Sequence, residues 1–291
     1  MWLYHSQAFL LVTLVTLVTS LKLLDSSVIT KGASSGDNGD SMPDINLPNL
    51  KEILWENNRS DLVKYVPKCP DDLILCPTCC RFLKYDDFSI EHIVPQQALD
   101  DDDASVKKNL TKSDRSVVTL LCNKQLLING KRIYANGCNS WKGRFYDKFL
   151  RDIFNAKIVN SKQATTRHQI ALLMAAFIAM FERFGYQVAL TPSAAVMRHQ
   201  FFNPDRFIRG VPLKSQMILL GSPQGEFKED IKSYWVPPFK FSFDPGFCAV
   251  VARNAVLYVP VSRNPEIPLA QVLPFAPSKY KFRPDFKTFF D

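Results

Sequence analysis

Apolar residues recur at helical spacing from Asn49 to Tyr65, where Leu50, Ile53, Leu54, Leu62 and Val63 predict two short helices separated near Asn57-Asn58. Between Cys76 and Phe149 this periodicity gives way to a stretch rich in cysteine, asparagine and charge, with an acidic run, Asp100 to Asp103, followed by Lys107, Lys108 and Lys112. Four consecutive acids repel a phosphate backbone, so the run reads as a solvated loop held away from any polyanion. Arg167 to Phe184 predicts one long helix whose apolar stretch, Ile170 to Phe181, is only 12 residues long and ends at the C-cap candidate Gly185. That is a buried core helix, too short to cross a bilayer. After Gly210 the pattern changes to short β-type runs, Met217 to Leu220, Phe239 to Phe243, Cys248 to Val251 and Val256 to Val259, punctuated by prolines.

One apolar run stands apart. Ala8 to Leu24 is 17 residues long and broken only by Thr13, Thr16, Thr19, Ser20 and Lys22, the short limit for a membrane span. As a signal segment it has an apolar core and small residues near Val18-Thr19-Ser20, but Met1 to Gln7 holds no Lys or Arg. Residues 31–41 read as unstructured, and Met42-Pro43-Asp44 then opens like an ordinary protein start, so an upstream extension is the other reading.

With 291 residues and 46% hydrophobic content, the chain can bury a real core, which excludes a disordered tail. Its net charge of +8 falls entirely on the part beyond residue 41, because residues 1–41 carry −1 and leave +9 for the rest. A polyanionic partner, DNA or RNA, suits that balance. Seven cysteines, an odd number, do not make a secreted disulfide framework, and several cluster around a His and Asn group, so metal binding is the better expectation.

Four short pieces carry the chemistry: Cys76-Pro77-Thr78-Cys79, Phe88-Ser89-Ile90-Glu91-His92-Ile93-Val94-Pro95, Leu120-Leu121-Cys122-Asn123, and Cys138-Asn139-Ser140-Trp141-Lys142-Gly143. C-x-x-C presents two thiolates from one tight turn, and a tetrahedral zinc needs two more soft ligands, for which Cys122 and Cys138 are the natural pair. Cys80 in place of Cys79 is the alternative. The 15 residues between Cys122 and Cys138 predict a hairpin-like insertion, Leu126 to Tyr134, turning at Asn129-Gly130. Phosphodiester hydrolysis needs a base for water and a cation for the phosphate. His92 titrates near neutrality, Glu91 offers a hard oxygen, and Asn139 offers another through its amide carbonyl. Lys142, about one helical turn beyond Asn139, is placed to touch a phosphate.

In this order and with these flanks, the pieces resemble the HNH endonucleases, a ββα-metal fold, in the subgroup braced by a four-cysteine zinc site. The resemblance covers Cys76 to Phe149, about a quarter of the chain. It implies that His92 is the general base, that Glu91 and Asn139 hold one catalytic Mg²⁺ or Mn²⁺, and that Cys76, Cys79, Cys122 and Cys138 bind structural Zn²⁺. DNA would be the substrate, and the products would carry 5′-phosphate and 3′-hydroxyl ends. Two departures stand out. The family's middle Asn would fall near Ser116 or Val117, with Asn109 an upstream substitute if the residues between are an insertion, and the Cys122 to Cys138 segment is long.

Other candidates have plainer readings. His168 and His199 read as structural or surface residues, and His5 belongs to the leader. Trp141, Phe145 and Tyr146, beside Lys142, Arg144 and Lys148, read as the inner face of a helix, with base stacking and phosphate contact by Lys142 and Arg144 the sharper alternative. Arg198, Arg206 and Arg209 flank Phe201, Phe202 and Phe207 as a second candidate DNA-contact region. The expected class is α+β: a leader over 1–41, a helical segment over 42–75, an HNH core with zinc ribbon over 76–150, a helical segment over 151–200, and a separate small β-rich domain over 201–291. The expected location is cytoplasmic, or exported or membrane-anchored if residues 8–24 serve as a signal or anchor. The alternative function is a zinc-ribbon nucleic-acid-binding protein without catalysis.

Overall fold

The structure is a computed structural model that describes residues 47–128, 131–134, 136–158, 163–190, 192–208, 217–219, 232, 234–244 and 247–260. The leader, with its apolar run, and Arg209 lie outside those residues. Helix α1 (Leu47–Leu62) is continuous. The break expected at Asn57-Asn58 is absent because Asn only weakens a helix interior by a fraction of a kcal/mol, about 0.5 to 0.7, while Trp55 and Leu62 on one face are held in the core. Two hairpin-like strands, β1 (Ile74–Leu75) and β2 (Phe82–Leu83), follow and pair antiparallel.

Strands β3 (Phe88–His92) and β4 (Val118–Cys122) form an antiparallel pair running from Phe88 opposite Cys122 to His92 opposite Val118. Their connection holds three short helices, α2 (Gln96–Asp100), α3 (Ala104–Asn109) and α4 (Lys112–Arg115). Strands β5 (Leu126–Ile128) and β6 (Lys131–Tyr134) then form the anticipated hairpin, with Asn129-Gly130 outside the described residues. Helices α5 (Cys138–Phe145) and α6 (Asp147–Phe154) come next.

Helix α7 (Thr166–Phe184) is apolar on every side from Ile170 to Phe181 and is buried throughout that stretch. A helix without a polar stripe has to lie inside the core. Its start is fixed by His168, whose Nδ1 accepts the Thr165 N–H at 3.1 Å, so the structural reading of His168 fits its position. Its end is Gly185, in the left-handed region at φ 68°, whose N–H donates to Phe181 O at 2.7 Å. Short helices α8 (Tyr186–Ala189) and α9 (Pro192–Phe201) complete the helical layer. No helix among the described residues is long and apolar enough to cross a membrane.

Asp61 accepts the Tyr186 N–H at 2.6 Å and sits where a side chain on Gly185 would go. A Gly185→Ala variant therefore meets left-handed backbone strain of about 1–2 kcal/mol plus the loss of that contact. We expect a stability loss of at least about 2 kcal/mol by urea denaturation; an unchanged midpoint would refute this account of the α7 end.

The C-terminal strands are β7 (Met217–Leu219), β8 (Phe239–Asp244), β9 (Phe247–Ala252) and β10 (Ala255–Pro260), an antiparallel sheet in the order β7-β10-β9-β8. They do not form the separate domain expected from the sequence. Phe239, Cys248, Val250, Ala252, Ala255 and Leu257 share one core with Cys76, Cys122, Cys138 and α7, within the single compact unit Ile45–Asp291. The α+β class holds, but the boundaries near 150 and 200 divide a continuous core.

The acidic run is also corrected. Asp102 is buried and paired with two buried arginines, Arg115 and Arg253, the second at 3.0 Å. Arg253 also donates to Arg115 O at 3.2 Å, and Arg115 to Leu99 O at 3.0 Å. Asp101 bonds Asn155 at 2.9 Å, and the exposed Asp100 pairs with Lys112 at 2.9 Å. Sequence reading treats four adjacent acids as equivalent. The fold instead takes one of them inside, where hydrogen bonds to two guanidinium groups offset its desolvation.

Candidate metal centre and Glu-His site

The C-x-x-C turn closes the β1–β2 hairpin: Cys76 N–H donates to Arg81 O at 3.0 Å and Cys80 N–H to Cys76 O at 2.9 Å. Such a tight reversal needs a left-handed residue, and Cys80 takes it with φ 56°. Cys138 arrives as the first residue of α5, immediately after Gly137, whose Cα faces the backbone of Cys122 and Asn123 so closely that any side chain would collide. Glycine there lets the chain cross β4 and bring Cys138 to the turn.

The sulfurs of Cys76, Cys79 and Cys138 lie within 4.8 Å of one another, a group able to hold a metal ion. Cys76 and Cys138 sulfurs are 4.0 Å apart. A tetrahedral zinc with bonds of about 2.3 Å has sulfur–sulfur edges of about 3.8 Å, so the spacing suits that geometry. Cys122 adjoins the group and hydrogen-bonds with both Cys138 and Cys79. Among these four thiols, hydrogen bonds from Cys138 and Cys79 bring Cys122 down to about 4. Burial and its neighbours push Cys138 well above the usual thiol range. Holding all four sulfurs as thiolates side by side would need a divalent cation among them.

Arg81 donates to the Cys122 sulfur at 3.1 Å and to Cys79 at 3.5 Å, offsetting negative charge on the cluster. Of the two alternatives, Cys79 belongs to that group and Cys80 does not. We therefore expect Cys80→Gly to keep the full metal content and to change stability by no more than about 1 kcal/mol, since Gly suits the left-handed position. Cys79→Ser should lose metal. Elemental analysis of both variants checks this, and metal loss from Cys80→Gly would contradict the assignment.

Glu91 and His92 end β3, and α5 lies alongside. Asn139 donates its side-chain N–H groups to Ser89 Oγ and Ile90 O, both at 2.9 Å. Because a backbone carbonyl only accepts, this fixes the amide orientation and leaves Oδ1 as an acceptor with no donor among the described residues. His92 is half-buried, and its Nδ1 is buried without a hydrogen-bond partner among the described residues. Burial, then the charges of Lys142 and Lys112, lower its pKa and favour a neutral ring.

Lys142 is placed differently from the expectation. Its side chain is 1% exposed, and its ammonium donates to Glu91 Oε1 at 2.6 Å, Asp147 Oδ1 at 2.6 Å and His92 O at 3.0 Å. With all three donors taken inside the fold, Lys142 is a positioning residue and not a phosphate contact. Burial pushes Glu91 up to about 7 despite the Lys142 charge beside it. Asp147, the third member, is a site residue that sequence spacing did not single out.

Trp141 and Tyr146 are buried and both donate to Phe201 O, at 2.8 and 2.6 Å, so the packing reading of this aromatic face fits and stacking on bases does not. Arg144 is exposed, with its guanidinium over the Phe145 ring at 5.4 Å. Arg198 is buried and donates to Ala189 O at 2.7 Å, which removes it from the second candidate DNA-contact region. Val117, at the position where an Asn was sought, accepts the Ile93 N–H at 2.8 Å through its backbone. Asn109 is no substitute, because its side chain donates to Ser105 O of its own helix at 2.7 Å. The chain matches no protein-family model, no curated protein and no solved structure.

Proposed function

We propose that this chain is a metal-dependent HNH-type endonuclease that hydrolyses phosphodiester bonds in DNA, with a zinc held by Cys76, Cys79, Cys122 and Cys138 as its structural centre. The observation that carries the reading is the ββα arrangement of β3, β4 and α5. Glu91 and His92 end β3, Asn139 of α5 bonds Ser89 and Ile90 of the same strand, and Cys122 lies at the far end of the pair opposite Phe88, an order that supports the reading.

In this reading His92 takes a proton from water at a ring nitrogen that burial keeps neutral. The water oxygen forms a bond to phosphorus, the bond to the leaving 3′ oxygen breaks, and that oxygen takes a proton from solvent. Glu91 and Asn139 offer a carboxylate and an amide oxygen, the hard donors that suit Mg²⁺ or Mn²⁺. Such an ion, when bound, would supply Lewis-acid stabilisation of the phosphate and leaving oxygen. Lys142, itself held by Asp147, fixes the Glu91 carboxylate in place. Four cysteines given to zinc and an odd total of seven favour a compartment that keeps thiols reduced, so the cytoplasm is the proposed location.

The test is incubation of the full chain with supercoiled plasmid and with RNA, in Mg²⁺ or Mn²⁺ and in chelator. Nicks with 5′-phosphate ends that need the divalent ion support the reading; intact substrates under every condition, from protein with a full complement of zinc, overturn it. Two observations favour a second reading, a binding module without catalysis: the proposed metal carboxylate is held by Lys142, and neither Ser116 nor Val117 supplies the middle Asn. That module would bind nucleic acid in a salt-sensitive way and never cut it.

A further inference from the structure

Two-residue hairpin turns ordinarily lie at the surface and favour glycine or asparagine at their first position. The turn between β9 and β10 breaks both rules. Its residues, Arg253 and Asn254, join Ala252 to Ala255 and are 2% and 0% exposed. Arg253 stands at φ 51°, a left-handed conformation that is unfavourable for any residue with a side chain. A charged group taken into the core on a strained backbone marks a position held by a requirement beyond reversing the chain.

Both residues reach the elements that carry the Glu91–His92 site. Arg253 donates to Asp102 Oδ1 at 3.0 Å, to Asp102 Oδ2 at 3.3 Å and to Arg115 O at 3.2 Å. Arg115 in turn donates to Leu99 O at 3.0 Å, so the first and last parts of the β3–β4 connection are tied to each other and to Arg253. That connection leaves His92 through Ile93, whose N–H donates at 2.8 Å to the carbonyl of Val117, two residues beyond Arg115. Asn254 donates to Ile153 O near the end of α6. The same helix begins at Asp147, which holds Lys142 at 2.6 Å and through it Glu91.

We propose that this turn is how the C-terminal sheet takes part in the reaction: Arg253 is a positioning residue that fixes the backbone on which His92 stands relative to Glu91 and Asn139. The inference rests on the nuclease reading of the site. His92 is the last residue of β3, so any shift of the Ile93–Val117 closure moves the base with it. A displacement of about 1 Å can lower a rate roughly a hundredfold.

The experiment compares full-length wild type, Arg253→Gly, Arg253→Lys and Gly185→Ala by steady-state plasmid nicking in Mg²⁺ or Mn²⁺ and by amide hydrogen exchange, with fold and zinc content checked on each. Arg253→Gly removes the guanidinium and relieves the left-handed strain, whereas Gly185→Ala lowers stability at the end of α7 and controls for stability alone. Arg253→Gly should lower kcat roughly ten- to a hundredfold with KM within about twofold. Exchange at the Ile93 amide should speed up about tenfold or more while the Gly185 amide keeps its rate. Arg253→Lys should fall between wild type and Arg253→Gly, because a single ammonium lacks the fork that reaches both Asp102 and Arg115 O. Gly185→Ala should keep kcat within about twofold. If Arg253→Gly nicks at the wild-type kcat, or Gly185→Ala loses as much, the inference fails and the nuclease reading stands. Should Arg253→Gly not fold, Arg253→Lys decides, and wild-type kcat with wild-type Ile93 exchange in it overturns the inference. Wild-type protein that cuts nothing overturns the nuclease reading and the positioning role together, while exchange at Ile93 still reads whether the turn secures the end of β3.

Discussion

Removing the metal from the cysteine cluster is expected to unfold the protein. The four cysteines come from three places in the chain: the β1–β2 turn, the end of β4 and the start of α5. Cys76, Cys122 and Cys138 are fully buried and belong to the main core, so their sulfurs brace the frame from inside. Structural zinc contributes on the order of 10 kcal/mol to folding, and a domain of this kind is stable by only about 5–15 kcal/mol. Cys138→Ser, or a strong chelator on wild type, should therefore abolish cooperative thermal unfolding followed by circular dichroism and eliminate bound zinc. Retention of a wild-type melting curve in zinc-free protein would refute the structural role.

Replacing Lys142 by Met should have the next largest effect on stability. Lys142 is the shared partner of Glu91, Asp147 and the His92 carbonyl, and Glu91 is itself almost fully buried. Breaking a buried pair by deleting one partner typically costs about 3–5 kcal/mol. Burial already holds Glu91 near neutrality, at about 7, so its carboxyl can take a proton instead of staying charged. That places the expected loss at the low end, about 3 kcal/mol, measured by urea denaturation. Glu91→Leu in the same chain should recover part of it, because the lone carboxyl is then gone. A stable Lys142→Met variant would mean that the cluster does not fix this end of β3.

Local chemistry made the centre of the chain legible in the sequence. The Gly185 stop, the apolar stretch of α7, the β runs after Gly210 and the hairpin between Cys122 and Cys138 all follow from short-range rules, and all appear in the fold. What sequence could not show is pairing over distance. Arg253 reaches Asp102 across 151 residues, joining the C-terminal sheet to the β3–β4 connection. No periodicity marks that pair, so the sheet read as a separate domain and the acidic run as solvated. Within the site, residue types and order identified Glu91, His92, Asn139 and the cysteines. The direction of Lys142 was lost because a lysine one turn along a helix looks exposed until its partners are placed. Asp147 is the missing partner, five residues on, a spacing that no helical rule singles out.

The central claim is that His92 does the chemistry while the cysteines hold the frame. Its most direct test is the rate of plasmid nicking by full-length wild type and His92→Ala in Mg²⁺ or Mn²⁺, with zinc content and melting curves measured on both. Loss of a general base lowers rates by about 10²–10⁴-fold. The account predicts a fall in that range with zinc and fold intact. Equal nicking by the two proteins, or none by either, would contradict it.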